Sequence, residues 1–153
     1  MTTRLPSRRV WLGRIAGLAG TAFALDSLFV ATSHAAASSA DRSRFMDRAY
    51  EMRRRAIVSG DQAFGAVVVK DGQVVGEGIS AVLTTPDPTA HGEMQAIRDA
   101  ARRLGSAKLN GCELYTTFRP CPMCETAAYW AGIERIFYGE AVTDAGAPRY
   151  RSC

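Results

Sequence analysis

Two short segments constrain this chain more than anything else in it: Thr89-Ala90-His91-Gly92-Glu93 and Pro120-Cys121-Pro122-Met123-Cys124. Each sets metal-ligating side chains where a helix is about to begin. Two cysteines three positions apart on a helix's first turn can aim both sulfurs at one ion, and the unpaired N–H groups there favour the thiolate that zinc requires. His91 adds a third ligand. Three protein ligands leave one tetrahedral position open to water, which separates a catalytic zinc from a closed structural one. The fold must therefore bring two helix starts, distant in sequence, to one point.

Glu93 follows the histidine by two residues, close enough to exchange protons with water at the metal without coordinating it. Zinc lowers the pKa of its water to about 7, so a carboxylate is needed to move protons rather than to act as a strong base. A lone C-x-x-C fits a redox pair or half of a structural zinc site, and a lone His-x-Glu means little. Together and in this order they point to catalytic zinc.

Around these segments, Phe45, Met46, Ala49, Met52, Ala56 and Ile57 recur at helical spacing and predict an amphipathic helix over 42–58, ended by Ser59-Gly60-Asp61. Residues 64–69 and Val74-Val75 read as strands joined by Asp71-Gly72, a dipeptide suited to a type I′ hairpin. Pro86 and Pro88 stiffen the loop 84–89. A helix over 90–104 should bury Met94, Ile97, Ala101 and Leu104 and stop at Gly105. Residues 114–117 read as a strand, 121–131 as a helix and 133–138 as a final strand. That alternation suggests one sheet covered by helices, with the site in loops at the strand ends.

The first 37 residues read as an export leader, not as part of this fold. Ser7-Arg8-Arg9-Val10-Trp11-Leu12 resembles the bacterial twin-arginine signal, an apolar stretch follows over 15–30, and Ser33-His34-Ala35 or Ala35-Ala36-Ala37 offers a cleavage site. A periplasmic or exported protein is expected, with a domain over 41–153. The alternative is an uncleaved membrane anchor, although Asp26 interrupts the apolar run. Arg4, Arg8, Arg9 and Arg14 against Asp26 place +3 of the +4 net charge in this leader. The rest carries 15 Lys and Arg against 14 Asp and Glu, no footprint for a polyanion. Nucleic acid is thus an unfavoured partner, membrane contact is confined to the leader, and a small neutral substrate fits better. His34 lies in the leader and is a poor ligand candidate.

These residues are similar to the cytidine deaminase superfamily, and within it to guanine deaminases and their nucleoside deaminase relatives. H-x-E followed by P-C-x-x-C is a known zinc-deaminase signature. The likeness spans about 45–144 and is carried by residues 64–72, by 87–93, and by Tyr115-Thr116-Thr117 through Cys124, with Ala128-Tyr129-Trp130-Ala131 and Phe137-Tyr138 adding detail. It implies a three-layer αβα fold with a central mixed five-stranded sheet, a Zn2+ cofactor, hydrolytic release of ammonia from a nucleobase or nucleoside, and commonly a dimer. In that reaction Glu93 would carry a proton from water to the ring nitrogen beside the attacked carbon.

Phe64, Ser80, Ala90, Trp130 and Asp144 are the candidate substrate contacts. Asp144 falls where guanine deaminases keep a substrate-binding aspartate, and equally fits an exposed turn beside Gly146 and Pro148. Phe64 and Trp130 could wall a pocket or simply pack. Three departures bear on substrate. Ser80 stands where relatives have an asparagine, Arg119 stands where they have a glutamate, and the chain ends at Cys153 where guanine deaminases continue into a pocket-closing tail. The last leaves two readings, a more open pocket or a shortened chain. Cys112 and Cys153 could pair in an oxidising compartment or be unremarkable thiols. Arg53, Arg54 and Arg55 read as a solvated face. The leading expectation is deamination of a free base, guanine first. A tRNA adenosine deaminase and a catalytically inactive zinc-binding or thiol-disulfide module are the alternatives.

Overall fold

The computed structural model describes residues 38–150, so the leader and Cys153 lie outside the described residues. The order is α1 (Ser39–Val58), β1 (Gly65–Lys70), β2 (Gln73–Ile79), α2 (Gly92–Leu104), β3 (Cys112–Thr116), α3 (Pro122–Ala131), β4 (Arg135–Tyr138) and β5 (Thr143–Gly146). Among the described residues no helix is long and apolar enough to cross a membrane.

The strands form one sheet in the order β2-β1-β3-β4-β5. All neighbours are antiparallel except β3 and β4, the pair joined through α3. The β1–β2 hairpin turns on Asp71 (φ 50°) and Gly72 (φ 73°), and positive φ at both central residues is what a type I′ turn needs. Strand alternation then divides the core. Val67, Val69, Tyr115 and Phe137 face α1, where they meet Phe45, Met46, Ala49 and Met52. Ala66, Val68, Leu114 and Ile136 point the other way, against Ala96, Ile97, Ala100 and Ala128 of α2 and α3. The result is the mixed five-stranded αβα sandwich.

Four details differ from the sequence expectation. α1 begins at Ser39, a turn earlier than periodicity suggests, because the Ser38 hydroxyl caps the Asp41 N–H at 3.2 Å. Ile57 is 51% exposed, since Ala56, fully buried, takes the inward position in the last turn of α1. The strand β5 is absent from the residue reading, because Thr143-Asp144-Ala145-Gly146 has little β propensity and forms only as a sheet edge on β4.

The fourth concerns the buried face of α2, which is Ala96, Ile97 and Ala100; Met94 and Ala101 are half-buried and Leu104 is exposed. Two glycines in β2 decide this. A Cβ on Gly76 would lie 2.5 Å from the Ala96 carbonyl oxygen, and one on Gly78 would lie 2.0 Å from that of Gly92. The helix backbone rests directly on the strand, so only small side chains fit between them.

Candidate metal centre

His91 and Cys121 are the N-cap residues of α2 and α3, both with extended backbone, and Cys124 lies on the first turn of α3. Pro122 occupies the first helical position, where its missing N–H costs nothing and its fixed φ suits the helix. Because β3 ends beside β1, the loop 117–121 delivers the cysteines to the start of α2.

The ligand atoms form a nearly equilateral triangle. Cys121 Sγ lies 3.7 Å and Cys124 Sγ 3.6 Å from His91 Nδ1, and the sulfurs are 3.6 Å apart. For a tetrahedral zinc with Zn–S near 2.3 Å and Zn–N near 2.05 Å, S···S separations of about 3.8 Å and S···N separations of about 3.6 Å follow. The three side chains therefore fit zinc by shape as well as by donor type. Among the described residues His91, Cys121 and Cys124 form a group whose ligand atoms lie close enough to hold one metal ion. Charge agrees with shape. Burial, then the neighbouring Glu93 carboxylate and Cys121, push the Cys124 thiol up, and a divalent cation reverses that balance by favouring thiolate.

Glu93 is 6% exposed. Its Oε1 accepts from the Thr116 hydroxyl at 3.1 Å, and its Oε2 lies 3.7 Å from Cys124 Sγ. One carboxylate oxygen is held by the sheet while the other faces the ligands.

The candidate substrate residues are placed less uniformly. Ala90 is fully buried just before His91. Phe64 is half-exposed, its ring edge-on to Phe118 at 5.3 Å, and its backbone abuts Gly92. Ser80 is buried, but its hydroxyl donates to Asp61 Oδ1 at 2.8 Å. Trp130 is 62% exposed on α3, with Tyr150 as its ring neighbour at 6.3 Å. Asp144 lies on β5, ion-paired with Arg135 at 2.6 Å and accepting the Gly146 N–H. Arg119 is exposed, and Cys112 is a buried core thiol pushed up by burial.

Sequence reasoning missed two polar residues. Thr116 reads only as a strand residue, and Asp61 only as a helix terminator. No local pattern announces either, because the side chains that give them these roles, Glu93 for Thr116 and Ser80 for Asp61, lie 23 and 19 positions away.

The family described as the cytidine and deoxycytidylate deaminase zinc-binding region matches residues 39–140. The chain is similar to the guanine deaminase of Bacillus subtilis (strain 168), 46% identical over 102 residues that cover 66% of this chain and 65% of that protein. It is also similar to the tRNA-specific adenosine deaminase of Aquifex aeolicus (strain VF5), 40% identical over 94 residues covering 61% and 62%. The X-ray structure of the Bacillus subtilis guanine deaminase superposes with a TM-score of 0.61 at 44% identity, covering 64% of this chain and 66% of that one. The chain thus spans slightly under two thirds of the length of these relatives.

Proposed function

The chain belongs to the cytidine and deoxycytidylate deaminase zinc-binding family, and from that premise we propose that it is a zinc-dependent hydrolase that releases ammonia from an aminated nucleobase or nucleoside, guanine first. The observation that carries the reading is the triangle of His91, Cys121 and Cys124 with the Glu93 carboxylate beside it. A structural or redox site has no use for that acid.

Zinc bound at the three ligands supplies the positive charge that makes water acidic enough to react near neutral pH. The chain's own residues do the rest. In this reading Glu93 Oε2 accepts a proton from the attacking water and passes it to the ring nitrogen beside the amino-bearing carbon. Water adds at that carbon, the C–N bond breaks, and a second proton through Glu93 lets the amine leave as ammonia. Thr116 keeps the other Glu93 oxygen occupied, so the carboxylate presents one basic atom to the substrate. The Ser80 hydroxyl donates its proton to Asp61, which leaves it only an acceptor role towards a substrate.

The twin-arginine-like leader supports export to the periplasm, with the leader as the only membrane contact. The tRNA-specific relative makes a macromolecular substrate the second reading, and the nearly balanced charge after residue 37 supports the small one. A homodimer is the expected assembly and is checked by light scattering.

The decisive experiment purifies the full chain, measures metal per chain, and assays ammonia release from guanine, cytosine, adenine and their nucleosides. Wild type should hold about one zinc and turn over at least one of them, while Glu93→Gln should keep zinc and lose turnover. Zinc without turnover on the whole panel overturns the substrate class. Loss of zinc in Glu93→Gln supports a structural site instead.

A further inference from the structure

Asp61 closes α1 and is 8% exposed. Its Oδ1 accepts from the Ser80 hydroxyl (2.8 Å), the Val82 N–H (3.1 Å) and its own neighbour Gln62 N–H (2.8 Å). Its Oδ2 accepts from the N–H groups of Leu83 and Thr84 (both 2.8 Å) and from the Thr84 hydroxyl (3.0 Å). One carboxylate thereby gathers the loop 80–84 around itself.

We propose that Asp61 is a positioning residue for the metal centre, fixing through the loop 80–84 where His91 stands relative to the two sulfurs. The inference rests on the zinc site proposed above. Its path is continuous in hydrogen bonds. The Ala81 N–H donates to the Ala90 carbonyl at 2.9 Å, the Asp87 N–H donates to the Val82 carbonyl at 3.2 Å, and the Ala90 N–H donates to the Asp87 carbonyl at 3.0 Å. Ala90 is fully buried and precedes His91, whose side chain makes no capping bond of its own.

The three ligands are not equally secured. Cys121 and Cys124 share one helix start, so their separation is local. His91 comes from a segment thirty residues earlier, and the loop before it belongs to neither sheet nor helix. Without Asp61 the loop 80–84 regains backbone freedom, and the histidine loses preorganisation. Outer groups that orient metal ligands typically set affinity by about ten- to a hundredfold.

The test compares the wild-type full chain with Asp61→Asn, Asp61→Ala and a control, Met52→Ala, which weakens the α1 face of the core without touching the loop. Zinc dissociation constants are measured by chelator competition, and the visible ligand-field bands are recorded with cobalt(II) in place of zinc, at a temperature where circular dichroism shows each variant folded. Both Asp61 variants should lose about tenfold or more in zinc affinity and shift the cobalt bands, while Met52→Ala, though lower in Tm, keeps both. Should the Asp61 variants fail to fold, Ser80→Ala and Thr84→Val each remove part of the cradle and should give smaller losses in the same direction.

Unchanged affinity and bands in the Asp61 variants, or in both milder ones, overturn the proposal. So does an equal change in Met52→Ala, which makes the effect one of global stability. A wild type that binds metal but releases no ammonia removes the deaminase reading and leaves this test intact. A wild type that binds no metal removes both.

Discussion

The Thr116 hydroxyl donates to Glu93 Oε1 at 3.1 Å, linking the last residue of β3 to the first turn of α2. Thr116 pairs with Ala66 on one side and Tyr138 on the other, so its position is set by three strands rather than by a loop. Both side chains are buried. The sheet therefore reaches directly into the proton-transfer group.

Thr116→Val removes that hydroxyl and keeps the shape of the side chain. A hydrogen bond to a charged group contributes about 1.5–3 kcal/mol, so kcat should fall by about ten- to a hundredfold, with zinc content kept and KM little changed. Thr116→Ser should restore most of the rate. Steady-state ammonia release with metal analysis checks it, and an undiminished kcat in the valine variant would remove Thr116 from the machinery.

Removing the metal should destabilise the domain, because it returns two packed sulfurs and an imidazole to a site whose burial favours the protonated Cys124 thiol. Free zinc a thousandfold above its dissociation constant stabilises a folded domain by about 4 kcal/mol. Tm should therefore drop by many degrees on chelation and recover when zinc is added back. Cys124→Ser and His91→Ala should carry far less than one zinc per chain and show little chelator response. A wild-type Tm indifferent to zinc would contradict the ligand set.

The hairpin, the three helices and the identity of the ligands His91, Cys121 and Cys124 were legible because each is written in short local patterns: Asp71-Gly72 for the turn, Gly105 for a helix stop, His-x-Glu and Cys-x-x-Cys for the site. What escaped was written across distance. The face that α2 buries is chosen by Gly76 and Gly78 in another element. β5 exists because β4 offers it an edge, and Asp61 acquires its role only when the loop 80–84 folds over it. Ser80 shows the limit of resemblance, since an aligned position does not reveal that its hydroxyl already has a partner.

Asp61 also predicts how the domain responds to acid. Burial raises its pKa, but hydrogen bonds from the Thr84 N–H, the Ser80 hydroxyl, the Gln62 N–H and the Thr84 hydroxyl outweigh burial and hold it well below the usual carboxylate range. A depressed folded pKa means that the stabilisation is present above the unfolded value of about 3.9 and is lost as pH falls through that region towards the folded one. Asp99, also lowered, adds to the same limb. Thermal melts from pH 7 to pH 2 should show Asp61→Asn well below wild type near neutrality and converging with it in acid. A gap that stays constant with pH would show that the carboxylate's charge is not what the loop needs.

Gly78 and Gly105 separate steric from conformational reasons for a glycine. A Cβ at Gly78 would meet the Gly92 carbonyl oxygen at 2.0 Å and the Ala96 nitrogen at 2.3 Å, both helix backbone, whereas one at Gly105 meets nothing within 4 Å but sits at φ 63°. Gly105→Ala should cost about 1 kcal/mol, the left-handed penalty, and leave zinc binding alone. Gly78→Ala must push the start of α2 off the sheet, which should cost more than the roughly 1–3 kcal/mol of ordinary overpacking. It should weaken zinc binding too, because the displaced turn carries Gly92 between His91 and Glu93. Urea denaturation and zinc titration of the two variants check both parts. If Gly78→Ala were as mild as Gly105→Ala and bound zinc normally, the close seat of α2 on β2 would not be what holds the ligand and the acid in register.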